Sequence, residues 1–175
     1  MKEIWLLRHA KAEPGYTIAD FERNLEASGI DDAFAIATYL KNAGLHPDLI
    51  LSSPATRAIE TAKIVHQVIN HPMLSIKEDL EIYNATIEQL KSILMNCEES
   101  IKRLLLVGHN PGLEELLIYL VGYDSLPKAD EWLGTATFIR LRTDNLWSEL
   151  QKECTQLITI TSPHALKKMD SNQQI

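Results

Sequence analysis

Three apolar runs, at 4–7, 49–51 and 104–107, are each followed by a polar loop and then by an apolar pattern at helical spacing. A chain that alternates strand and helix signals in this way has few means of hiding its apolar faces. The simplest is an α/β sandwich with a largely parallel sheet. The first helical pattern spans 29–43 and aligns Ala33, Ile36, Ala37 and Leu40 on one face. Gly44 follows it, where a helix end favours a residue free to take positive φ. The second carries Ile59, Ala62, Val65, Val68 and Ile69. Thr86 and Gln89 form a capping-box signature before Ile87, Leu90 and Leu94. Pro111 suits a first helical turn ahead of Leu113, Leu116, Leu117 and Leu120. Two further strands are expected at 138–141 and 157–160.

With 175 residues, 45% of them hydrophobic and 23% charged, the chain suits one globular domain. We assign that domain to 1–166. The stretch 167–175 has no apolar periodicity and reads as a frayed tail. Lys plus Arg is 17 and Asp plus Glu is 24, a net charge of −7. That balance argues against nucleic acid or an anionic membrane as the main partner. No apolar run approaches the roughly 18 residues of a membrane-spanning helix, and the run at 4–7 is too short for a signal peptide. Cys97 and Cys154 form no CxxC pair and read as reduced thiols of a cytoplasmic protein.

The chemistry-bearing residues recur at one topological position. Arg8 and His9 follow the first strand, Arg57 begins the helix after the second, and His109 follows the third. In open α/β sheets ligands bind beyond the carboxyl ends of the strands, so these four side chains converge if the three strands are neighbours. Two guanidiniums, two imidazoles and nearby helix N-termini suit a compact dianion, above all a phosphoryl group. An imidazole whose far nitrogen is held by a backbone carbonyl presents an unprotonated near nitrogen, able to attack phosphorus and carry the group as phosphohistidine. Taken singly, each residue is more often structural than catalytic; their joint placement carries the weight. His66 and His71 fit no common zinc spacing, and no metal site is expected. Trp5, Trp132 and Trp147 read as packing residues, and Ser52 and Ser53 as a turn or helix start.

Leu-Leu-Arg-His-Ala at 6–10, Ser-Ser-Pro-Ala-Thr-Arg-Ala-Ile-Glu-Thr-Ala at 52–62 and Val-Gly-His-Asn-Pro-Gly at 107–112 resemble the histidine phosphatase superfamily. The shortness of the chain and its opening are similar to the small branch, the SixA-like phosphohistidine phosphatases. The resemblance implies a three-layer α/β/α sandwich, as in phosphoglycerate mutase-like proteins, and a phosphatase that needs no metal or other cofactor. It further implies that His9 is the nucleophile, that Arg8 and Arg57 bind the phosphoryl group, and that His109 is the second active-site histidine. Arg23 resembles a further substrate-binding arginine. Two departures stand out. Ala10 replaces the usual Gly. Asp79 and Glu81 are the nearest candidates for the general acid of larger members, with Glu81 the possible acid, although a solvated turn is the favoured reading of both.

A missing acid matters chemically, because protonating an alkoxide leaving group contributes about 10²–10⁴ in rate. A phosphoramidate can leave as neutral imidazole once its own nitrogen is protonated. The expectation is therefore a metal-independent hydrolase acting through phosphohistidine, with phosphohistidine on a protein as substrate. The alternatives are a small-molecule phosphomonoesterase of the same superfamily and a non-catalytic phosphate-recognition module. A phosphomutase is disfavoured by chain length and by the missing acid.

Overall fold

The computed structural model describes residues 1–129 and 131–172. Among these, six strands form one sheet: β1 (Lys2–Arg8), β2 (Leu49–Ser52), β3 (Ser75–Glu78), β4 (Arg103–Gly108), β5 (Phe138–Thr143) and β6 (Gln156–Thr161). Their order is β3-β2-β4-β1-β5-β6. The pairs β3–β2, β2–β4 and β4–β1 are parallel, and β5 runs antiparallel to both its neighbours. The three strands that carry Arg and His at their ends are thus adjacent, at the centre of the sheet.

The central strands are buried on both faces, which is why they read as unbroken apolar runs. Side chains alternate along a strand. Ile4, Leu6, Leu104 and Leu106 pack on one face, with α3 (Ile87–Met95) and α4 (Gly112–Val121) contributing Leu90, Leu94, Leu113, Leu116 and Leu117. Trp5, Leu7, Leu105 and Val107 pack on the other, against Ala33, Ile36 and Leu40 of α1 (Ala27–Asn42) and Ala58, Ala62 and Val65 of α2 (Thr56–Ile69). Helices on both sides of the sheet make the expected three-layer sandwich.

The local signals acted as their chemistry requires. The Thr86–Gln89 capping box is complete, and Gly44 has φ +67°. Two segments depart from the sequence analysis. The strand β3 has no apolar run to announce it, because it is an edge strand with mostly exposed side chains. The stretch from 167, read as frayed tail, belongs up to residue 172 to a helix, α5 (Pro163–Asn172). Ser162 starts it by accepting from the Ala165 N–H with its hydroxyl at 3.2 Å and from the Leu166 N–H with its carbonyl at 3.1 Å. Leu166 packs on the α1–α2 core, and Lys167 pairs with Asp32 of α1 at 2.9 Å. A partly apolar helix docked on another helix needs only one anchor, too little to register as periodicity. The remainder of the proposed tail, 173–175, lies outside the described residues. Trp5 and Trp147 are fully buried and Trp132 is half-buried. Cys97 and Cys154 are unpaired. No described helix is long and apolar enough to cross a membrane.

Candidate active site

Register places the functional residues. Arg8 pairs with Gly108, and Ser52 with Val107, so β1, β4 and β2 end level with one another. The His9 N–H donates to the Gly108 carbonyl at 3.0 Å and the Ser53 N–H to the Val107 carbonyl at 3.0 Å, which extends the ladder one residue past each strand. The chain leaves β1 toward β2 on one side, whereas after β4 it crosses to β5 on the other. A crevice opens where the connections diverge. The Ala10 N–H donates to Thr61 Oγ1 at 3.0 Å, and that hydroxyl donates to the Arg57 carbonyl at 2.7 Å. The turn after His9 is thereby clamped to the turn of α2 that carries Arg57. Ala10 is fully buried among the α1–α2 core residues, so its extra methyl is packed there.

His9 and His109 face each other with ring centroids 5.0 Å apart. His9 Nδ1 lies 2.8 Å from the Ala10 carbonyl, which can only accept, so Nδ1 carries the proton. His9 Nε2 is then unprotonated, and its lone pair accepts from Arg57 Nε at 3.2 Å. Arg57 Nη2 approaches His109 Nδ1 at 3.4 Å; a guanidinium can only donate, so the His109 proton sits on Nε2, 2.8 Å from Ser53 Oγ. Burial pushes the His9 pKa down to about 4, with the Arg57, Arg8 and Arg23 charges acting in the same direction against the Ala10 hydrogen bond. Burial, His9, Arg57 and Arg8 push His109 down to about 3, opposed by Asp20. Both rings are neutral at pH 7.

Arg57, 5% exposed, forms the floor of the crevice. Arg8 Nη1 donates to the Leu133 carbonyl at 2.9 Å and to Glu131 Oε1 at 2.6 Å, while its buried Nε has no hydrogen-bond partner among the described residues. Arg23 comes from the loop 11–24, pinned by its Nε on the Glu13 carbonyl at 2.7 Å. It reaches the site through Asp20, whose Oδ1 it meets at 2.9 Å.

Asp20 escaped the sequence analysis. It lies in a short 3-10 helix, Asp20–Glu22. Its Oδ2 accepts from Arg57 Nη2 at 2.9 Å and from the Tyr83 hydroxyl at 2.9 Å, and its carbonyl accepts from Arg57 Nη1. Partial burial works to raise its pKa, but the hydrogen bonds from Arg23, Tyr83 and Arg57 hold it at about 2. Tyr83 packs edge-on against both His109 and Phe21, at 5.6 and 5.0 Å between centroids. The spacing of Asp20 and Arg23 in Asp-Phe-Glu-Arg was the one available signal, and it is equally that of an ordinary surface pair. Asp79 and Glu81 are elsewhere. Asp79 Oδ1 caps the 3-10 helix Leu80–Ile82 by accepting from the Glu81 N–H at 2.9 Å. Glu81 is exposed and lines a groove with Lys77, Ser92 and Asn96 on the side of α3. Among the described residues no cluster of three His, Cys, Asp or Glu side chains could hold a metal.

A neutral imidazole with an available lone pair, a second neutral imidazole and buried guanidiniums, at the carboxyl ends of parallel strands, define a protein that handles compact oxyanions. Comparison with known proteins agrees. The model of the histidine phosphatase superfamily (branch 1) matches residues 4–100. A candidate phosphohistidine phosphatase, SixA of Agrobacterium tumefaciens, superposes with a TM-score of 0.79 at 30% identity, over 93% of this chain and 98% of that one. An uncharacterized chloroplastic protein of Arabidopsis thaliana is 32% identical over 130 residues, 69% of this chain; the match spans 60% of that relative's length. A mycobacterial glucosyl-3-phosphoglycerate phosphatase shares the fold, with a TM-score of 0.65 at 17% identity over 91% of this chain and 98% of its own. The chain belongs to the histidine phosphatase superfamily and is a phosphatase of that superfamily.

Proposed function

We propose that this phosphatase removes phosphate from phosphohistidine on a protein, through a phosphohistidine intermediate at His9. The observation that carries the reading is the pair of contacts on His9: Nδ1 on the Ala10 carbonyl, Nε2 unprotonated and accepting from Arg57 Nε. In the first step the Nε2 lone pair forms a bond to phosphorus, and the bond to the leaving nitrogen breaks, its electrons returning to the leaving imidazole. Arg57, Arg8 and His109 stabilise charge on the equatorial oxygens, the main task in phosphoryl transfer. Water then attacks the phosphorus, releasing phosphate and restoring His9. Asp20 is held as a carboxylate by three donors, so it has no proton to give an alkoxide. That favours a phosphoramidate donor over a sugar phosphate. The likeness to SixA of Agrobacterium tumefaciens supports the same reading. The unpaired thiols suit a cytoplasmic protein.

The deciding experiment compares phosphate release from a phosphohistidine-bearing peptide and from a simple alkyl phosphomonoester, with a chelator present, for wild type and His9→Ala. Preferential release from the peptide by wild type alone is expected. Equal efficiency on both substrates would replace this reading with a small-molecule phosphomonoesterase. Phosphate binding without release would make the site a recognition module.

A further inference from the structure

We propose that Asp20 determines specificity at this site: its carboxylate, seated on Arg57 in the free protein, is displaced by the incoming phosphoryl group and then accepts a hydrogen bond from a leaving group that carries a cationic N–H. The proposal rests on the phosphohistidine reading above.

Each nitrogen of Arg57 is engaged, with four of its five N–H groups in use. Nε meets His9, Nη1 meets the Asp20 carbonyl, and Nη2 meets both Asp20 Oδ2 and His109 Nδ1. Attack by His9 Nε2 itself releases Arg57 Nε, and a dianion that draws on Nη2 as well competes with the like-charged Asp20 carboxylate. Asp20 is placed to give way. Its side chain is 49% exposed, against 6% for Arg57, and it sits on a loop, whereas His9 and His109 extend the central strands. Displacement would leave it close by, because Arg23 holds its other oxygen, Oδ1, at 2.9 Å. Arg8 is capped in a parallel manner by the half-exposed Glu131. Each of these two arginines therefore meets a half-exposed acidic side chain, at 2.9 and 2.6 Å, which forms an acidic rim to the site.

Such a rim discriminates by leaving-group charge. A phosphoimidazole protonated on its far nitrogen presents an N–H⁺ that an anionic acceptor binds well. His9 Nε2 bonds to phosphorus, the P–N electron pair returns to the ring, and the imidazole departs neutral. Asp20 accepts a hydrogen bond throughout and takes no proton. An ester departing as an oxyanion meets like charge and finds no donor in Asp20.

The test measures kcat/KM for phosphoimidazole and for 4-nitrophenyl phosphate in wild type, Asp20→Asn and Asp20→Glu. Asparagine keeps the shape and removes the charge. Its kcat/KM for phosphoimidazole should fall about tenfold or more, while that for the aryl phosphate stays within about threefold or rises. Asp20→Glu should keep the wild-type preference, and inorganic phosphate should bind more tightly to Asp20→Asn. A preference unchanged in Asp20→Asn, or an equal fall on both substrates, overturns the role of Asp20 and leaves the proposed function standing. If that variant does not fold, Asp20→Ser is read by the same ratio. A wild type that turns over the aryl phosphate and leaves phosphoimidazole intact overturns both proposals.

Discussion

In the proposed reaction the two nitrogens of His9 have separate tasks, and each contact of the ring serves one of them. The Ala10 carbonyl holds the proton on Nδ1, and the Arg57 guanidinium marks where Nε2 points. His9→Ala should abolish phosphate release, checked as released phosphate under multiple-turnover conditions. Arg57→Ala should lower kcat by about 10²–10³, the usual cost of losing one charge-stabilising donor. A smaller loss would mean that Arg8 carries the developing charge alone. Titration followed by NMR should find both imidazoles neutral from pH 8 down to about pH 5, with midpoints near 4 for His9 and 3 for His109. An inflection for either ring at its ordinary value of 6.5 would contradict the burial that depresses both. Arg8, His9, Arg57 and His109 were legible in the sequence because each abuts a strand or helix end that announces itself. Asp20 and Tyr83 were not, because their place depends on where a loop and a 3-10 turn fold over.

At the scale of elements, the site depends on how α1 meets the loop 11–24. The Glu26 N–H, at the helix start, donates to the Lys11 carbonyl at 3.0 Å. Three residues further on, a Cβ on Gly29 would stand 2.1 Å from that same oxygen. Backbone cannot give way there without moving the loop that delivers Asp20 and Arg23. Gly29→Ala should therefore destabilise the fold by about 1–3 kcal/mol and reduce phosphate release more than stability alone explains. Urea unfolding and kcat on the same preparation would measure the two effects, and an unchanged unfolding midpoint would show that the contact is loose. The same scale accounts for the elements that pattern reading missed. The edge strand β3 is recruited by backbone pairing with β2, at Leu49–Ser75 through Ser52–Glu78, so its side chains needed no apolar run. The helix α5 is held by Leu166 and by an ion pair to α1, contacts distant in sequence.

For the whole molecule, the neutral imidazoles link the site to acid stability. An ordinary histidine takes up its proton near pH 6.5, whereas folded His9 and His109 do so only near 4 and 3. Between those values the unfolded chain binds protons that the folded chain refuses, so stability must fall as the pH drops from 6.5 toward 4. Asp20 acts in the same direction lower down: its folded pKa of about 2 against 3.8 gives stability above pH 3.8 that is lost toward pH 2. The thermal midpoint should therefore decline from pH 7 to pH 4.5, and His109→Asn should flatten that decline; parallel curves for variant and wild type would refute the assignment. Taken alone, the order of residues determined the sandwich, its central strands and the Arg and His at their ends. Those features follow from apolar periodicity, capping and turn chemistry, which act between neighbours in the chain. Folding alone brought Asp20 onto Arg57, Tyr83 onto Asp20 and Glu131 onto Arg8, and left Glu81 in another groove. These placements follow from contacts between loops far apart in sequence, and such contacts leave no period in a sequence to read.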